Sequence, residues 1–143
     1  MIFWDSSGLV PLLIREPQSA ACQSVYATDP AVAVWFFTPV ELRSALSRRL
    51  RSQEITRADG VAALERMTEL AAEWTLIAAF ELVRARAERL LDVHSLASAD
   101  ALQLGAALIF TRDSPQGVGF VALDERLRDA AAREGFRVLP GTS

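Results

Sequence analysis

Lysine is absent from this 143-residue chain, so all fifteen of its basic side chains are arginines. That excludes mechanisms that need an amine, such as a Schiff-base lysine or the phosphate-binding lysine of a P-loop, and no G-x-x-x-x-G-K or G-x-G-x-x-G run is present. Cysteine occurs once, at Cys22, which excludes an internal disulfide and fits a reducing cytoplasm. Its neighbourhood, SAACQSVY, reads as a packed helix face. Histidine also occurs once, at His94, so a structural zinc site or a Cys-His pair has little support. No apolar run approaches the roughly 18 residues of a membrane span. The first apolar run is too short for a signal peptide, is broken by Asp5 and has no basic region ahead of it. The expectation is a single cytoplasmic domain over residues 1–143, with no membrane partner and a core large enough to need no staples. The net charge of −3 argues against gripping nucleic acid by a broad basic surface. It leaves room for an enzyme that holds cations with clustered acids and touches nucleic acid locally.

The chain opens on MIFWDSSGLV, a short apolar run that ends in an acid and leads into a helix. Ser6 to Ile14 reads as that helix, closed by Glu16-Pro17, and a second runs from about Gln18 to Tyr26. Residues 31–37, AVAVWFF, form a strand buried on both faces. Thr38 then caps a helix with Pro39 in its first turn, and a further helix starts at Thr56. WTLIAAF, residues 74–80, is a strand. The helix from Glu81 to about Asp92 sets Leu82, Ala85, Leu90 and Leu91 against Arg84, Arg86, Glu88 and Arg89. A link from His94 to Ser98 precedes ADALQLGAALIF, a buried helix. VGFVAL is a strand leading to Asp124, a helix follows, Gly135 stops it, and Phe136 to Leu139 is the last strand. Alternating strands and helices with β-branched strands indicate an α/β sandwich on a mostly parallel sheet of about five strands.

In such a sheet the active site lies beyond the carboxyl ends of the strands. Asp5 follows the first strand at that edge, and Asp124 follows the fourth. Glu41 lies in the first turn of the helix leaving the second strand. Asp100 opens the helix that leads into the fourth strand, and a helix preceding a parallel strand runs opposite to it, so Asp100 reaches the same rim. A helix cap could explain Asp5, and the helix dipole each of the other three. Neither explains why Asp100 begins a helix of Ala, Leu and Gly, where it is poorly solvated. Two carboxylates about 4 Å apart repel by roughly 4 kcal/mol at an effective dielectric of 20, so such a cluster needs a cation or raised pKa values. Oxygen-only ligands favour Mg²⁺ or Mn²⁺.

Other candidates carry less. His94 has no partner at ligand spacing and reads as a surface or link residue. Ser6 and Ser7 lack the G-x-S-x-G elbow of a nucleophile, and a hydroxyl that orients Asp5 or a water is the better use. Asp92 and Asp113 read as helix-end and loop residues. Arg43, Arg48, Arg49 and Arg51 suit either phosphate contact or, toward the helix end, the dipole.

The segments FWDSSGLVPLLIREPQS, TPVELRSALSRRLR, LASADALQLGAAL and FVALDERLRDAAAREGFRVL, in this order, resemble the PIN-domain ribonucleases, in particular the VapC toxins of type II toxin–antitoxin modules. The resemblance spans nearly the whole chain. It implies a three-layer α/β/α fold and a divalent-metal endoribonuclease that hydrolyses RNA phosphodiester bonds. It places the family's acids on Asp5, Glu41, Asp100 and Asp124, as metal ligands and catalytic groups, with the hydroxyl beside the first acid at Ser6. It also implies a cognate antitoxin in a groove near the site, and a homodimer. Two departures are mild: position 103 is Gln where many relatives have His, and position 6 is Ser where Thr is frequent. The rival readings are a catalytically silent PIN-like module that binds RNA or protein, and a phosphoryl-accepting receiver or aspartyl phosphatase. The last is disfavoured by the lack of lysine and by Ser7, where a second acid would stand.

Overall fold

The computed structural model describes residues 1–141. Five strands, β1 (Ile2–Trp4), β2 (Val32–Trp35), β3 (Thr75–Ile77), β4 (Gly119–Val121) and β5 (Arg137–Leu139), alternate with seven helices. These are α1 (Ser6–Leu13), α2 (Ser19–Thr28), α3 (Thr38–Arg51), α4 (Arg57–Ala71), α5 (Phe80–Val93), α6 (Ser98–Phe110) and α7 (Glu125–Glu134). The sheet order is β3-β2-β1-β4-β5 and every pairing is parallel. All carboxyl ends therefore emerge on one edge, as the alternating pattern predicts. No single helix among the described residues is long and apolar enough to cross a membrane.

Side chains of the central strands alternate between two cores, because successive residues of a strand point to opposite faces. Ile2, Trp4, Val32, Val34 and Val121 pack with Leu9, Val10, Cys22, Leu42, Leu46 and Met67 beneath α1 to α4. Phe3, Ala33, Trp35, Phe120 and Ala122 pack with Val83, Leu90, Leu104 and Leu127 beneath α5 to α7. The result is a three-layer α/β/α sandwich.

Four expectations change. α3 begins without Thr38 as its cap: Phe37 is the capping position and supplies no side-chain bond, while Thr38 is fully buried inside the helix. β3 is three residues long rather than seven, because its neighbour β2 pairs with it only from Ala33 to Trp35, and Phe80 already starts α5. α5 buries Val83, Ala87 and Leu90, whereas Leu82 and Leu91 face solvent. The reason is the crossing with α6, where Gly105 lets the two backbones meet: a Cβ there would lie 3.1 Å from the Val83 carbonyl oxygen and 3.2 Å from the Ala87 nitrogen. Composition favoured the leucines, and backbone approach chose the smaller face. His94, expected as a surface or link residue, ends α5 but has a buried side chain, with Nε2 2.7 Å from Glu134 Oε2.

α1 is seated against β4 by Gly8, where any Cβ would overlap Val121 Cγ1. Gly8→Val should therefore lower unfolding free energy by about 2 kcal/mol through overpacking, measured by urea denaturation.

Candidate active site

The chain leaves β1 at Asp5, whose amide donates to the Val121 carbonyl at 2.9 Å and so stays in register with β4. Asp5 is 3% exposed and is both the cap of α1 and part of the rim, so the two readings of it are compatible. Ser7 N donates to its Oδ2 at 3.0 Å, and Ser7 Oγ donates to the same oxygen. Ser7 Oγ in turn accepts from Leu123 N at 2.9 Å, which ties the loop carrying Asp124 to the loop carrying Asp5. The hydroxyl bonded to Asp5 is thus Ser7 rather than Ser6, which lines the cleft without a side-chain bond to Asp5. The signal was present in the sequence: an Asx turn bonds two residues on.

Asp5, Ser6, Glu41, Asp100 and Asp124 line one cleft of about 700 Å³, with Arg48 and Arg49 at its far end. Glu41 arrives from the first turn of α3 and Asp100 from the first turn of α6, on opposite layers of the sandwich. Asp124 caps α7, its Oδ1 accepting from Leu127 N at 3.0 Å, and is the most exposed of the four. Sequence reasoning missed the link between the layers: the fully buried Gln103 side chain donates from Nε2 to Thr38 Oγ1 at 3.0 Å and to Glu41 Oε1. A lone Gln among apolar residues of α6 was the available clue.

The electrostatics follow from burial. Desolvation, only partly offset by the Ser7 bonds, raises the Asp5 pKa. Glu41 is pushed up to about 7, by desolvation first and then by the Asp5 charge. Asp100 is pushed up to about 6, by desolvation and then by Asp5 and Asp124. The donor set, all carboxylate oxygen, suits a hard divalent cation. As the side chains stand, no three His, Cys, Asp or Glu residues among those described are grouped closely enough to hold one. The other candidates stay outside this chemistry: Cys22 is buried in the core with its thiol pushed up to about 11, and Asp113 pairs with Arg86 at 2.6 Å.

Fold and site together define an α/β protein with an acidic cleft at the carboxyl rim of a parallel sheet. No protein-family model and no curated protein matches the chain. Solved structures do. FitAcB from Neisseria gonorrhoeae is 17% identical, with 96% of each chain covered and a TM-score of 0.66. The sarcin-ricin-loop-cleaving toxin VapC20 of Mycobacterium tuberculosis is 20% identical, with 91% of this chain and 95% of that chain covered and a TM-score of 0.64. The resemblance to VapC-type PIN toxins read from the four sequence segments therefore holds at the level of the fold.

The raised carboxyls have a consequence for stability. Between the ordinary carboxyl values and about pH 7, the folded protein binds more protons at Glu41 and Asp100 than the unfolded chain does. Their contribution is then fully present below about pH 4 and is lost as pH rises through their folded values. In chelator, urea denaturation from pH 4.5 to 7.5 should show stability falling with pH, and Asp100→Asn should flatten that slope.

Proposed function

We propose that this protein is a divalent-metal-dependent endoribonuclease, the toxin component of a toxin–antitoxin module. The observation that carries the proposal is the convergence of Asp5, Glu41, Asp100 and Asp124 on one cleft, in a fold shared with an RNA-cleaving toxin. A silent binding module has no need to bury a carboxylate like Asp5 among like charges. Asp5, Asp100, Glu41 and Asp124 would hold Mg²⁺ or Mn²⁺, which when bound lowers the pKa of a water and offsets charge on the phosphate oxygens. Within the chain's own machinery, Ser7 fixes Asp5, and Glu41 or Asp124 takes the proton from the attacking water. Ser6, at the cleft wall, is placed to touch that water or the substrate.

The RNA backbone has a second contact along α3. Arg48 lies seven residues after Glu41, about 10 Å at the helical rise, and lines the same cleft. Its Nη1 donates to Ser44 Oγ at 3.0 Å, which leaves the guanidinium exposed for a neighbouring phosphate. Arg49 is committed to Glu16 at 2.7 Å. Local arginine contact of this kind reconciles an RNA substrate with an acidic protein, and the cellular setting is the cytoplasm. The antitoxin would cover this cleft.

The homodimer has a surface suited to it. Phe36 stands edge-on to Phe37 and Phe80, which are tilted to each other, at the carboxyl ends of β2 and β3, with ring centroids 5.2 to 6.0 Å apart. They are 40 to 47% exposed, next to Leu76 and Val40. An aromatic patch of this kind on a small protein marks an interface, and a second copy presents the same patch across a two-fold axis.

Two measurements test these readings. Asp5→Asn, folded as judged by circular dichroism, should cleave RNA at least about a hundredfold more slowly than the parent with Mg²⁺ or Mn²⁺; equal rates would refute the nuclease. Phe80→Glu should shift the sedimentation coefficient from dimer to monomer, and an unchanged dimer would place the interface elsewhere.

A further inference from the structure

α6 is apolar along its buried face, through Ala101, Leu104, Gly105, Ala106, Ala107 and Leu108, with one exception. Gln103 is fully buried there, and its Oε1 has no hydrogen-bond partner among the described residues. An orphaned amide oxygen in a core is unfavourable, and a methionine of similar volume would avoid it. The compensating feature is at the other end of the amide. Nε2 donates at once to Thr38 Oγ1 and to Glu41 Oε1, both on α3, from a residue three positions beyond Asp100. One side chain thus couples the two helices that bring Glu41 and Asp100 to the rim from opposite layers.

The chemistry of the donor matters as well. An arginine at this point would neutralise Glu41 and compete with a cation. A neutral amide orients the carboxylate through one oxygen and leaves its charge in place, with Oε2 free to turn toward the cleft. We infer that Gln103 is a positioning residue, anchored by Thr38, that sets the Glu41 carboxylate for a divalent cation shared with Asp100. This rests on the metal-dependent nuclease reading, in which Glu41 is a ligand. Partners that orient ligands in this way commonly contribute 10- to 100-fold to metal affinity.

The test is calorimetric titration of Mn²⁺ into the full chain, beside thermal unfolding in chelator and RNA cleavage across a Mn²⁺ series. Gln103→Met should weaken Mn²⁺ binding about tenfold or more while its metal-free form still unfolds in a single cooperative thermal transition. Its cleavage rate should fall at low Mn²⁺ and recover in large part at saturation, a split that a general packing defect does not produce. Thr38→Val should weaken Mn²⁺ binding in the same direction by a smaller factor, and it decides the matter if Gln103→Met does not fold. Parent-like Mn²⁺ affinity in the folded variants overturns the inference alone. A parent that neither takes up Mn²⁺ nor cleaves RNA overturns the nuclease reading, and this inference with it.

Discussion

The burial of carboxylates side by side at the carboxyl rim, with the repulsion that this adds, is the constraint on which the rest of the site depends. Asp5 is buried and capped, and desolvation first, then the Asp5 charge, raises the pKa of both Glu41 and Asp100. The fold tolerates this because each acid is held by a different element. Asp5 follows a central strand, Glu41 and Asp100 open helices of opposite layers, and Asp124 caps a third helix. Helix amino ends carry partial positive charge, which eases but does not cancel the accumulation. This concentration of carboxylates in one cleft is what the proposed cation binding rests on.

The supporting hydrogen bonds show how the rim is kept in shape. Ser7 links Asp5 to the backbone at Leu123, so the first and fourth strand ends are tied together. Gln103 performs the equivalent task between α6 and α3. Both partners are neutral, so they orient carboxylates without neutralising them. The nearest cations in the cleft, Arg48 and Arg49, lie farther along α3, one bound to Ser44 and the other to Glu16.

Much of the architecture was legible because it depends on local pattern. β1, β2 and β4 were recognised from short apolar runs, and α4 from Thr56, whose capping box with Asp59 is formed. The edge strand β3 was read too long, since WTLIAAF is apolar after Thr75 and nothing in it marks where pairing stops. The buried face of α5 was misassigned for a related reason. Leu82 and Leu91 are the more hydrophobic choices, but the contact with α6 is made where Gly105 permits backbone approach, and that selects Val83 and Ala87.

By itself the sequence determined the parallel α/β order and hence the edge on which Asp5, Glu41, Asp100 and Asp124 lie, because strand direction follows from the alternation of strands and helices. It could not say that Thr38 is buried rather than capping, or that Gln103 reaches Glu41 across 62 positions. Those are contacts between layers. They depend on helix rotation and depth over the sheet, which the packing of small residues decides and a one-dimensional pattern does not encode.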